Sequence, residues 1–248
     1  AAGDTLVAPL DREDAVDEAF AAHGSRIAAV IIEPVPANNG LLPQRQAFLA
    51  HLRERCDAHG ALLIFDEVIT GFRFGFGGYE RHCAVLPDLV TLGKIVGGGM
   101  PLAAVVGRAA QMDVLAPAGA VYQAGTMSGN NVAVAAGAAT LDVLEEGSAY
   151  RHLDALGAHF DNITRESSLR WVRVGPVIWP WLGHGDPPRT DGAIPASVRP
   201  AFVRIFQAWL AAGIYFPPSP FEVAFLCAAH QTGDLDRLVR TAAEALRS

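Results

Sequence analysis

Two short apolar runs, each closing on an acid, set the fold that this chain can adopt. Arg26–Glu33 reads Arg-Ile-Ala-Ala-Val-Ile-Ile-Glu and Ala61–Asp66 reads Ala-Leu-Leu-Ile-Phe-Asp. Unbroken apolar character over strand length marks a strand buried on both faces, as in a parallel sheet. Between the two runs, Gln44–His59 has helical spacing and closes on Gly60, a C-terminal cap. Asp88–Leu92 and Pro101–Gly107 read as a third and a fourth strand. Asp11–His23, with Asp11 as its N-cap, and the alanine-rich Asn131–Glu145 read as helices. Strands alternating with helices predict a mostly parallel α/β sheet. Ligands of such sheets bind beyond the carboxyl ends of the strands. Glu33, Asp66 and Lys94 fall at or just past three of those ends, so three separated segments deliver functional groups to one edge.

The pattern changes near Ala149. Tyr150–Ser167 is helical, and Arg170–Leu182 is strand-like with Trp171, Trp179 and Trp181. Gly183–Ala193 is a polar loop, Pro200–Ala212 a helix ended by Gly213, and Asp234–Leu246 a closing helix. Tyr215–Ala229 has strand character broken by prolines. The expectation is two domains, an α/β domain over 1–148 and a smaller α+β domain over 149–248.

Composition excludes several classes. Hydrophobic residues make up 51% and charged residues 18%, which is a globular balance. The net charge of −7 argues against nucleic acid as a partner. The apolar runs are strand-length, so no membrane span is expected. Cys56, Cys83 and Cys227 are an odd number without ligand spacing, so no metal site is expected and a reducing cytoplasm is. The chain opens Ala1-Ala2-Gly3-Asp4 without methionine, and further sequence is expected upstream.

Of 19 basic residues, one is lysine. Lys94 stands in Thr91-Leu92-Gly93-Lys94-Ile95-Val96-Gly97-Gly98-Gly99. A lysine amine condenses with an aldehyde, which a guanidinium cannot do. Drift toward arginine accounts for the other eighteen positions and not for the survival of this one. Such an amine reacts unprotonated, so burial of the side chain and neighbouring positive charge are expected.

The block Phe65-Asp66-Glu67-Val68-Ile69-Thr70-Gly71-Phe72-Arg73, with Lys94 28 residues after Asp66, resembles the class III aminotransferases of fold type I, which use pyridoxal phosphate (PLP). Ile32-Glu33-Pro34-Val35, Asn38–Gly40, Val121–Asn130 and Pro218-Ser219-Pro220-Phe221-Glu222 extend the resemblance in matching order. Within the family it is nearest the glutamate-1-semialdehyde aminomutase branch. It covers nearly the whole chain but only the later part of the family's sequence.

The resemblance implies a PLP-dependent transfer of an amino group, with a small amino-acid-like substrate. Asp66 would keep the pyridine nitrogen protonated so that the ring draws electrons. Lys94 would hold the cofactor aldehyde and move the proton. Val68 would pack one ring face, and Glu33 and Asn38 would lie near the ring and its phenolic oxygen. Gly125 and Thr126 would reach the phosphate of a neighbouring subunit's cofactor, which implies a homodimer with shared sites. Glu222 would face a cationic substrate. Bland readings stand beside these. Asp66 also suits a helix cap or a turn, Lys94 a solvated surface, Val68 the core and Glu33 a buried structural acid. Gly125 and Thr126 suit a plain turn, and Glu222 a surface loop. Trp179 and Trp181 suit a pocket wall or the core.

Departures concern the substrate and the extent of the site. Asn131 follows Gly129-Asn130 where the family has proline, and Pro36-Ala37-Asn38-Asn39 differs from the usual aminomutase loop. The family's main phosphate-binding loop and its ring-stacking aromatic have no counterpart in this chain. Three explanations are open: a longer polypeptide, a partner chain that supplies the missing half, or a non-catalytic scaffold subunit.

Overall fold

The computed structural model describes residues 2–247. The chain divides into two compact units, Ala1–Pro34 with Gln44–Glu146, and Val35–Pro43 with Gly147–Ser248.

The first unit is built on a four-stranded sheet of order β1-β2-β3-β4. The strands are β1 (Ala29–Ile32), β2 (Leu62–Glu67), β3 (Leu89–Leu92) and β4 (Ala104–Gly107). β1, β2 and β3 run parallel, with Ile31 opposite Ile64 and Asp66 opposite Thr91. β4 departs from the expected pattern and runs antiparallel to β3. The reason is local. Gly98 and Gly99 take left-handed φ of 58° and 89°, which turns the chain back within a few residues and leaves no room for a crossover helix.

Helices α1 (Glu13–His23) and α2 (Gln46–His59) accompany this sheet, and Gly60 closes α2 at φ 70° as expected. The core gathers Val16 and Phe20 of α1, Phe48, Leu49, Leu52 and Cys56 of α2, and Leu63 and Phe65 of β2. Asp11 does not cap α1: the cap position is Arg12, without a side-chain bond. Asp11 instead takes φ 60° and accepts Arg45 Nε at 2.7 Å. Two four-residue turns of helix follow, α3 (Glu80–Cys83) and α4 (Ala109–Met112). In α5 (Asn131–Glu145), Asn130 is the N-cap, and its side chain accepts the N–H groups of Val132 and Ala133 at 3.1 Å.

Strand periodicity decides what each face of this sheet meets. Leu63, Phe65 and Glu67 are buried, while Leu62, Ile64 and Asp66 on the other face are only half-buried. On that second face Ile31 is 62% and Val105 53% exposed. Strands that read as buried on both sides are thus covered on one side among the described residues.

The second unit is α+β. Helices α6 (Ser148–Thr164), α7 (Arg199–Ala211) and α8 (Thr232–Arg247) pack with the antiparallel sheet β5-β6-β7. β5 (Arg170–Val174) and β6 (Val177–Trp181) form a hairpin across Gly175, at φ 52°. β7 is only Ala224–Phe225, because the proline-rich segment before it cannot donate to a ladder. Trp179 and Trp181 are core, 1% and 4% exposed. Trp209 donates to Leu238 O at 2.9 Å and packs at a tilt on Phe216, with ring centroids 4.4 Å apart.

Candidate active site

Asp66 is the penultimate residue of β2, on the half-buried face, and its orientation is fixed by its neighbours. Oδ1 accepts the Val68 N–H and the Thr91 hydroxyl, each at 3.1 Å. Thr91 stands directly opposite on β3, so the strand register makes the second bond. Lys94 follows the same strand after one residue, Gly93. It opens a short 3-10 turn at φ 47°, a left-handed conformation that a residue with a Cβ adopts at a cost. Behind it, Val68 lies against the chain: a Cβ on Gly93 would come within 3.2 Å of Val68 Cγ1.

Glu33 lies one residue past the end of β1 and is half-buried. Burial raises its carboxyl above the ordinary range, and the charge of Asp66 raises it further, while Lys94 pulls the other way. Both charges therefore act on Glu33. The order β1-β2-β3 brings Glu33, Asp66 and Lys94 to one edge, with Val68 beside them.

The expected burial of Lys94 is not met. Its side chain is exposed. The physical reason is the same as for Ile31 and Val105, since this face of the sheet carries no second layer among the described residues. Two clefts in the unit, of about 330 and 460 Å³, are lined by residues such as Arg53, Asp88, Phe72 and Val106, and neither by Lys94 or Asp66.

The glycines after Lys94 serve packing. A Cβ on Gly98 would meet the Thr140 hydroxyl and would lie 2.9 Å from Ala136 O, and one on Gly137 would lie 2.7 Å from Val96 O. α5 thus presses its backbone on the turn that carries the lysine. Gly125 and Thr126 precede α5 on an exposed loop, where the Ser128 N–H bonds to Gly125 O at 2.9 Å.

Asn38 and Glu222 belong to the second unit. Their loops are bonded together, Gly40 N–H to Phe221 O at 2.6 Å, and Trp179 Nε1–H to Pro220 O at 2.8 Å. Asn38 is exposed and Glu222 half-buried, with its N–H on Ser219 O. Sequence reasoning missed two residues, Thr91, which holds Asp66, and Glu67, which is fully buried beside it. Alternation along β2 is the signal for Glu67, since an acid next to Asp66 has to point into the core.

The class-III aminotransferase family model matches residues 7–169. This chain belongs to the class-III aminotransferase family. The glutamate-1-semialdehyde 2,1-aminomutase of Thermomicrobium roseum is 45% identical over 99% of the chain, which spans 58% of that relative. An omega-transaminase structure from Sphaerobacter thermophilus matches 96% of the chain at TM-score 0.83 and 31% identity, and 56% of its own length is covered. A solved transaminase with PLP bound matches 98% at TM-score 0.83 and 26% identity, with 57% of it covered. The chain therefore spans a little over half the length of the relatives that it matches. Its fold is that of the fold type I aminotransferases, with a mostly parallel sheet.

Proposed function

We propose that this chain carries the lysine and acid of a PLP-dependent enzyme that moves an amino group, an aminomutase or a related transaminase. The observation that carries the reading is the placement of Asp66 and Lys94 at the ends of adjacent strands, with Glu33 near enough to sense both charges.

The residues present fit PLP. An amine, a carboxylate oriented by two donors and an apolar Val68 stand at one strand edge. When bound, the cofactor supplies an electron sink for the bonds at the substrate carbon that bears nitrogen. Lys94 would hold its aldehyde, and its amine would carry a proton between substrate carbons. Asp66 holds the proton on the pyridine nitrogen throughout. Val68 supports one ring face. Gly125 and Thr126, on an exposed loop before α5, are proposed phosphate ligands across a homodimer. Asn38 near the phenolic oxygen and Glu222 toward a cationic, amino-acid-like substrate rest on the resemblance alone. In this reading residues 1–148 form the cofactor-binding domain and 149–248 the smaller one. A cytoplasmic setting is proposed from three free cysteines. No described helix is long and apolar enough to cross a membrane.

The bare face around Asp66 and the exposed Lys94 favour a second reading beside this one, in which further polypeptide completes the site, in the same protein or as a partner chain. Titration with PLP separates the two. A yellow protein whose colour is lost in Lys94→Ala supports a self-sufficient chain. Colour that appears only with a second polypeptide supports completion in trans. Permanent lack of colour in both settings rejects the enzyme.

A further inference from the structure

Glu67 is the one fully buried carboxyl group among the described residues, and nothing in the amino-transfer reading uses it. It follows Asp66 on β2, so the two side chains leave opposite faces of the sheet. The Tyr79 N–H reaches both of its oxygens, at 2.9 and 2.8 Å, and the Thr70 hydroxyl donates to Oε2 at 3.0 Å. The chain between those donors is folded back on itself, with Gly71 N–H on Glu67 O and Phe72 N–H on Gly77 O, both at 2.9 Å. Gly78 lets the backbone come this close, since a Cβ there would lie 2.6 Å from Glu67 Oε1. The loop leaving the strand is thus pinned at its start and at its far end by a single carboxyl. That loop starts with Val68, whose N–H orients Asp66.

We propose that Glu67 is a positioning residue for Asp66: it clamps Thr70 and Tyr79 to the carboxyl end of β2 and so fixes the turn whose Val68 N–H aims the Asp66 carboxylate. The functional weight of the clamp rests on the cofactor reading above, but the clamp itself exists in the protein alone.

The charge on the clamp is poised. Burial pushes the Glu67 carboxyl up to about 7, with Glu80 pushing the same way and the Tyr79 N–H and Thr70 hydroxyl pulling it down. The other titratable groups facing it are the Tyr79 phenol and the Cys83 thiol, both raised by burial, with His82 against the Tyr79 ring at 5.5 Å. Opening the loop returns Glu67 to water and to an ordinary value of 4.5. A raised value in the closed form means that closure is strongest below that ordinary value and weakens as the pH rises through about 7.

Amide hydrogen exchange on the purified protein tests this without cofactor. In Glu67→Met, the Tyr79 and Val68 amides are expected to exchange about tenfold faster or more, while Leu63, bonded to Asp88 near the start of the same strand, stays within about twofold. Unchanged protection at Tyr79 and Val68 would overturn the clamp. Should that variant not fold, Glu67→Gln decides, since it keeps an acceptor and loses the charge. Corrected for intrinsic rates, wild-type protection at Tyr79 should fall about tenfold between about pH 5 and pH 7.5, and the glutamine variant should stay flat. The same slope in both rejects the proposal. With PLP added, Glu67→Gln should shift the pH dependence of the cofactor's absorption and not its uptake. A wild type that takes up no PLP, alone or with further polypeptide, counts against the cofactor reading only, because the exchange result stands by itself.

Discussion

Lys94 and Asp66 differ in how firmly the chain holds them. Asp66 is fixed by two donors, one from its own turn and one from the next strand. Lys94 is fixed in its backbone, at φ 47°, with its side chain in solvent. In the proposed function, an acid that must stay aimed at one atom gains from rigid bonds, whereas an amine that has to reach the cofactor and carry a proton needs freedom. The strained backbone at the lysine fits a residue held in place for its chemistry rather than for stability. Glu67 has the opposite character, since its burial acts on folding. Its folded value of about 7 lies above the ordinary 4.5, so its contribution is fully present below 4.5 and is lost as the pH rises through about 7. The raised value corresponds to about 3 kcal/mol as an upper figure. Thermal unfolding should therefore show a midpoint that drops from about pH 5 to pH 7.5, a drop that Glu67→Gln removes. An unchanged slope in the variant would assign that pH dependence to other groups.

α5 shows what caps and glycines do for the lysine turn. Asn130→Ala removes the one side-chain oxygen that accepts two N–H groups at the start of the helix and should cost about 1 kcal/mol in denaturant unfolding. Gly98→Ala should cost more, because its Cβ would strike Thr140 and crowd Ala136 O at a left-handed φ. A smaller loss for Gly98→Ala than for Asn130→Ala would mean that α5 does not press on the turn. These elements also mark what the sequence made legible. β1, β2 and β3 could be read from apolar runs, and α2 from its spacing and its glycine cap, because each signal is local. The direction of β4 could not be, since a strand looks alike in either sense and Gly98 and Gly99 reverse the chain only in three dimensions. Asp11 was misleading for a similar reason: a capping residue by type, it is claimed by Arg45, 34 positions away. Of the candidate site, Asp66, Lys94 and Glu33 could be seen at strand ends. Thr91 could not, because only the register puts its hydroxyl on Asp66.

The two units hold their candidate residues in different ways. The first assembles them along one sheet edge. The second holds Asn38 and Glu222 on loops zipped together by Gly40 and braced by Trp179, so the tryptophan read as a pocket wall or core is core that holds a loop in place. Replacing Trp179 with phenylalanine keeps much of the packing and leaves the carbonyl of Pro220 without its donor. The expected result is a loss of about 1–3 kcal/mol, with faster proteolysis in the 218–222 loop, seen by limited digestion. Digestion unchanged from wild type would show that the loops stand without that bond.

The claim on which the functional account stands is that one amine takes the cofactor. This sequence offers a sharp test, because Lys94 is its one lysine. The protein, with whatever further polypeptide it needs, is incubated with PLP, reduced with borohydride, digested and mapped by mass spectrometry. The account predicts a pyridoxyl adduct on the peptide that contains Lys94 and no stable adduct in Lys94→Ala. An adduct confined to a terminal amine, or none while PLP-dependent amino transfer continues, would contradict it.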